Sequence, residues 1–179
     1  LAMNLDHQYS HAFFKLAKKH WLGRHVAIFA ADNLLWLMLG ALVGIASWNP
    51  TIQSFSTFSD SFVFILLLLP AWGVTMFVSK MVKRKRPYLE LETKPLIDPI
   101  VHTASFPSAH ATIAFSIAAM ASAVFGIFWY MIAAAALVAL GRVASGVHFF
   151  SDIIAGALIG FFVTQASMIA FELLLLMLK

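Results

Sequence analysis

Five apolar stretches, each long enough to cross a hydrocarbon core of roughly 30 Å, limit what this chain can fold into. The first runs from about Val26 to Trp48, the second from about Ser61 to Ser79, and the third from about Ser108 to Gly126. The fourth returns to about Ser145, and the fifth leaves from about Phe150 to Leu178. Only 11% of the 179 residues are charged and mean hydropathy is +0.88, too polar-poor for a soluble globule. The expected fold class is all-α, a polytopic membrane helical bundle in one domain over 1–179. Residues 26–178 form the transmembrane bundle, 80–107 a loop on one membrane face, and 3–24 an interfacial helix. Within that helix Phe13, Leu16, Ala17 and Trp21 share a face, with Lys15, Lys18 and Lys19 on another. Leu1 and Ala2 ahead of Met3 read as a cloning remnant, and no cleavable leader is expected.

The chain has no cysteine, which excludes disulfides, thiolate metal sites and a cysteine nucleophile. Net charge +4 does not indicate a nucleic-acid partner, because the basic residues cluster beside the spans. Small residues repeat at four-residue spacing, as Ala114, Ala118 and Ser122 and as Gly156 and Gly160, a pattern that lets helices approach closely in lipid. Pro70 and Gly73 are expected to bend the second span.

Counting crossings brings three polar clusters together. The second span ends at Lys80 to Arg86, the third begins at Ser108, and the fourth carries Arg142 back to the same side. His148 and Asp152 open the fifth span there, so all three clusters meet on one membrane face. Pro107-Ser108 ahead of an alanine-rich run makes Ser108 an N-cap. The unpaired N–H groups of such a start favour an anion, and His110 lies in the first turn. An ordinary capped helix with an interfacial histidine fits these residues as well. His148 and Asp152, four apart, share a helical face, where a carboxylate on one ring nitrogen would leave the other a better nucleophile. An inert buried pair has the same spacing. Arg142 suits paired phosphate oxygens, although a lone arginine at a span end is commonly a snorkelling anchor. The run from Lys80 to Arg86 holds five cations, read mainly as a surface patch for acidic headgroups. Asp32 lies inside the first apolar run, either functional or paired with a helix neighbour near the interface.

Arg86-Pro87 after a basic span end, Pro107-Ser108-Ala109-His110, and Arg142, His148 and Asp152 in that spacing resemble the three signature motifs of the type 2 phosphatidic acid phosphatase superfamily. That family shares its helical core with vanadium haloperoxidases. The resemblance implies that His148 is the nucleophile, forming a phosphohistidine, with Asp152 orienting it and stabilising its charge. It implies that His110 protonates the leaving oxygen and then activates water. Arg86, Arg142, Ser108 and the N–H of Ala109 would bind phosphate oxygens. No metal or other cofactor is expected.

Three positions depart from the family pattern. Ser79 stands where a lysine is usual, so that Lys80, one residue late, takes its place as a proposed phosphate ligand; Ala109 replaces a glycine; Gly141 replaces a serine. The resemblance is strongest to bacterial undecaprenyl-diphosphate phosphatases. The runner-up substrates are phosphatidylglycerophosphate and phosphatidate. A non-catalytic lipid-binding or lipid-flipping protein is the rival class, and a haloperoxidase is disfavoured by the five spans. The partners implied are a lipid phosphate or diphosphate and the bilayer, in a bacterial plasma membrane; the sequence is silent on oligomeric state. Every lysine and arginine except Lys179 falls on the catalytic face, which the positive-inside rule would place in the cytoplasm. The resemblance to carrier-lipid enzymes implies the outer face.

Overall fold

The computed structural model describes residues 5–48, 57–98 and 104–178. Positions 99–103 of the expected 80–107 loop lie outside them. Helix α1 spans Leu5–Lys19 and α2 Trp21–Ile28. A π-helical turn over Phe29–Asn33 joins α2 to α3, Leu34–Trp48. Then come α4 Thr57–Val82, the short α5 Pro87–Glu90, α6 Ala109–Phe125, α7 Phe128–Ala144 and α8 Phe150–Met177. Trp21–Ile45, Phe62–Glu90 and Phe150–Met177 contain segments long and apolar enough to cross a membrane. The α6–α7 hairpin has 17 residues per arm, about 25 Å of helix each. It closes at Gly126, whose φ of 69° ends α6 in the left-handed conformation that favours glycine.

The core is built on α6. Ala114, Ile117, Ala118 and Ala121 are fully buried against Leu35, Met38 and Leu42 of α3 and Ala135 and Val138 of α7. Gly156 and Gly160 let α8 lie directly on α6, since a Cβ on either would collide with the carbonyl of Ser108 or Thr112. Ser116 Oγ donates to the Gly160 carbonyl at 3.1 Å, and the hydroxyls of Thr75 and Thr112 join α4 to α6 at 2.9 Å. Such interhelical bonds contribute roughly 0.6 kcal/mol each in lipid. Large apolar side chains including Ile65, Leu69, Phe77, Leu158 and Phe162 face outward, as lipid solvation allows. Helix α4 continues through Pro70.

Helix α1 packs on the bundle through part of its length, and Trp21 of the expected apolar face belongs to α2. The buried residues of α1 are Ser10 and Phe14, and Phe13 packs against Ala139, Val143 and Ile153. Leu16 and Trp21 are exposed, available to the bilayer instead of the bundle. The Phe14 ring covers Gly146, whose φ of 77° and 2.9 Å Cβ-to-ring distance leave no room for a side chain.

Candidate active site

Each polar cluster is delivered by a helix end. Helix α4 terminates at Lys83, which adopts φ 50°, and its N–H donates to the Ser79 carbonyl at 3.1 Å. The chain then runs without helix to Pro87, and the Ser105 N–H donates to the Arg84 carbonyl at 2.8 Å. This bond ties the Lys83–Arg86 segment to the segment that leads into α6. Ser108 caps α6, its hydroxyl accepting from the Ala111 N–H at 3.5 Å, while its own N–H donates to the Asp152 carbonyl at 3.0 Å.

His148 is not on a helix, as its spacing to Asp152 had implied; it sits in the 145–149 connection just before α8. The two still meet because Asp152, in the first turn of α8, folds back to accept the Phe149 N–H at 2.8 Å. His148 Nδ1 lies 2.8 Å from the Ser105 carbonyl and 3.4 Å from Asp152 Oδ2. Both neighbours can only accept, so Nδ1 carries the proton and Nε2 presents a lone pair. Ser105 Oγ donates to the same carboxylate oxygen of Asp152. Burial pushes the His148 imidazole down to about 4, with Arg142 and Arg86 adding to the effect and Asp152 opposing it. His148 is therefore neutral at neutral pH.

His148 opens onto a cavity of about 420 Å³ shared with Arg86, His110 and Arg142. Ala109, Ser79, Asp32 and Asp98 also line it, and Leu35, Trp36, Trp72 and Met76 form an apolar wall between α3 and α4. Among the described residues, Arg142 Nε has no hydrogen-bond partner, which leaves it a donor for an anion. Its Nη1 donates to Asp32 Oδ1 at 2.8 Å and to the Ala31 carbonyl at 3.3 Å. Ser108 and Lys80 are not among the residues lining this cavity. Ser108 is spent as a helix cap, and exposed Lys80 lines a neighbouring basic cavity with Lys83, Arg84 and Lys85. No group of three or more histidines and carboxylates among the described residues is placed to hold a metal.

Two histidines, two arginines and a buried carboxylate thus converge where the three motifs meet. The PAP2 superfamily model matches residues 61–174, well over half of the chain. The chain belongs to the PAP2 superfamily. Membership of that superfamily makes it a phosphoric ester hydrolase of the membrane. Among solved structures, it resembles LpxE of Aquifex aeolicus at 24% identity and TM-score 0.66, over 94% of this chain and 96% of that one. It also resembles the transmembrane PAP2-type phosphatidylglycerolphosphate phosphatase of Bacillus subtilis, at 18% identity and TM-score 0.67, over 95% and 88%. Among curated proteins none matches.

In this PAP2 chain, Gly141 has a steric cause. A Cβ there would lie 2.6 Å from the Ala31 nitrogen and 2.8 Å from the Ala30 carbonyl carbon. The serine usual in the family would push the π-helical turn away, and that turn carries Asp32 to Arg142. Sequence reasoning also missed Ser105 and Arg84. Nothing in a run of five cations separates Arg84 from its lysine neighbours, yet Arg84 Nη1 donates to Asp152 Oδ1 at 2.8 Å.

Proposed function

We propose that this protein is a metal-independent lipid phosphatase acting through a phosphohistidine, with undecaprenyl diphosphate as its substrate. The observation that carries the reading is the shared cavity: a neutral, Nδ1-protonated His148 faces two arginines at its floor, and tryptophans from α3 and α4 form its wall. The phosphate would sit at the floor while the tail leaves into lipid between those helices. His148 Nε2 attacks phosphorus, the bond to the leaving oxygen breaks, and His110, which takes up a proton as the phosphate anion binds beside it, gives that oxygen its proton. Neutral His110 then takes a proton from water as it attacks, the P–N bond breaks, and phosphate departs. Arg86, Arg142 and the Ala109 N–H stabilise the charge that builds on the equatorial oxygens. Asp152 and the Ser105 carbonyl hold the Nδ1 proton throughout.

Phosphatidylglycerophosphate is the second reading, favoured by Asp32 and Asp98 in the cavity. Two carboxylates disfavour the extra charge of a diphosphate and accept hydrogen bonds from a hydroxylated headgroup. The test is phosphate release with EDTA present, by wild type and His148→Ala, against undecaprenyl diphosphate, phosphatidylglycerophosphate and phosphatidate. Release that the variant loses supports the reading, and the preferred lipid names the substrate. Release that persists in the variant, or none from wild type, rejects it and favours a lipid-binding protein.

A further inference from the structure

Helix α8 begins at Phe150 behind Phe149, whose side chain has no oxygen to cap it. Its first N–H groups are satisfied from α1 instead. The Phe150 N–H donates to Ser10 Oγ at 3.0 Å and the Ser151 N–H to Asp6 Oδ1 at 3.1 Å. Ser10 and Asp6 are four apart on one face of α1, so a single docking event supplies both. Both caps come from the far end of the chain.

The same aspartate reaches further. Arg84 Nη2 donates to Asp6 Oδ2 at 2.8 Å while Nη1 donates to Asp152 Oδ1 at 2.8 Å and to Ser151 Oγ at 2.6 Å. The guanidinium lies over the Phe149 ring, 4.0 Å from its centroid, and His7 is stacked on that ring at 4.3 Å. One planar fork therefore joins α1 to the carboxylate that faces His148. Asp152 is 0% exposed, and an isolated buried carboxylate is strongly disfavoured. Arg84 supplies the compensating charge and fixes the plane of the carboxylate, so that Oδ2 is left for His148, Ser105 and the Phe149 N–H. Arg84 is not among the residues lining the cavity that holds His148.

We propose that Arg84, braced by Asp6, is a positioning residue for the phosphohistidine reaction, which makes the N-terminal helix part of the catalytic apparatus. The assignment rests on the lipid phosphatase reading and adds to it a residue that acts through Asp152. Arg84 carries two carboxylates at once, which a lysine's single ammonium does with poorer geometry.

The experiment measures kcat, KM and the rate of phosphoenzyme formation for wild type, Arg84→Ala, Arg84→Lys, Asp6→Asn and the double variant Arg84→Ala/Asp6→Asn. Arg84→Ala is expected to lose about a hundredfold in kcat and in phosphoenzyme formation with KM within about twofold, as for an interaction expressed in the transition state. Arg84→Lys recovers part of that loss and Asp6→Asn loses several-fold. The double variant falls no further than Arg84→Ala, because Asp6 acts through Arg84. If Arg84→Ala does not fold, Arg84→Lys and Asp6→Asn carry the same kcat-against-KM test. Wild-type kcat in the Arg84 variants, or a raised KM with kcat intact, would overturn the assignment while leaving the phosphatase reading standing. Multiplicative losses in the double variant would overturn the route from α1 through Arg84. A wild type inert toward every lipid removes the phosphatase reading, and this assignment with it.

Discussion

The Asp32 carboxylate holds the Arg142 guanidinium at 2.8 Å, one partner 43% exposed and the other buried in the floor of the cavity. An acid inside an apolar span thus meets an arginine of the cavity without replacing its remaining donors. Its charge opposes an incoming anion, and more strongly the more highly charged that anion is. At an effective dielectric near 20, a unit charge a few ångströms away amounts to a few kcal/mol, and exposure to water reduces this. Asp32→Asn keeps an acceptor for Arg142 and removes the charge. The expected outcome is a KM about two- to fivefold lower for undecaprenyl diphosphate, a smaller change for phosphatidate, and kcat unchanged. Michaelis–Menten analysis on both lipids in one detergent checks it.

Gly141 gives the π-helical turn that carries Asp32 room to lie against α7. Gly141→Ser should force α7 and the π-helical turn apart, because the new Cβ would stand 2.6 Å from a backbone nitrogen. Overpacking of this kind costs about 1–3 kcal/mol. The thermal midpoint in detergent is expected to fall by several degrees, with kcat/KM falling alongside as Arg142 loses its partner. An unchanged midpoint would mean that the turn moves freely.

The spans and the convergence of the motifs were legible because they rest on local signals: long apolar runs, a serine ahead of an alanine-rich helix, and the parity of crossings. The Ser108 cap is visible for the same reason. What stayed hidden depends on contacts across the chain. Asp6 and Arg84 meet 78 residues apart, and Arg142 and Asp32 meet 110 apart. No periodicity in either segment encodes such a partner. His148 shows a subtler failure. Its spacing to Asp152 implied a shared helix, whereas the contact comes from a side chain folding back over a helix start. Phe13 packs on the bundle while Leu16 and Trp21 of the same expected face are exposed, so an amphipathic pattern cannot by itself distinguish the part toward lipid from the part toward protein.

Ser105 makes two contacts at the His148–Asp152 pair, one through its carbonyl and one through its hydroxyl. Ser105→Ala removes only the hydroxyl. A hydrogen bond to a charged group contributes roughly 1.5–3 kcal/mol. The variant should therefore lose about tenfold or more in kcat with little change in KM, and phosphoenzyme should form more slowly. A loss confined to KM would instead make Ser105 a substrate contact.

Protonation of His148 should also be visible in stability. Its imidazole is held down to about 4 in the fold, against 6.5 for the ordinary group. Between those values the unfolded chain binds a proton that the folded protein does not, so stability falls as pH falls. The contribution is complete above about pH 6.5 and is lost as pH falls toward 4. Thermal midpoints of wild type should drop across that window, and His148→Asn should drop less. Equal drops would place the titrating group elsewhere.

Membrane orientation is the consequence of the proposed substrate most exposed to refutation. Within the site, Arg84, Arg86 and Arg142 are committed to the cavity or its supports. Lys18 donates to the Lys94 carbonyl at 3.2 Å and Arg24 to the Lys18 carbonyl at 2.9 Å. These five are structural as well as topogenic, which thins the basic excess without abolishing it, because Lys15, Lys19, Lys80, Lys83, Lys85 and Lys94 remain on the catalytic face. A carrier-lipid phosphatase places that face outward against this residual bias. The natural absence of cysteine makes the measurement clean. A cysteine at His20, beside the catalytic face, is expected to react with an impermeant thiol reagent in intact cells, and one at Ile127, in the α6–α7 turn, to be protected. The reverse pattern would put the site in the cytoplasm and shift the substrate assignment toward a phospholipid phosphate made on that side.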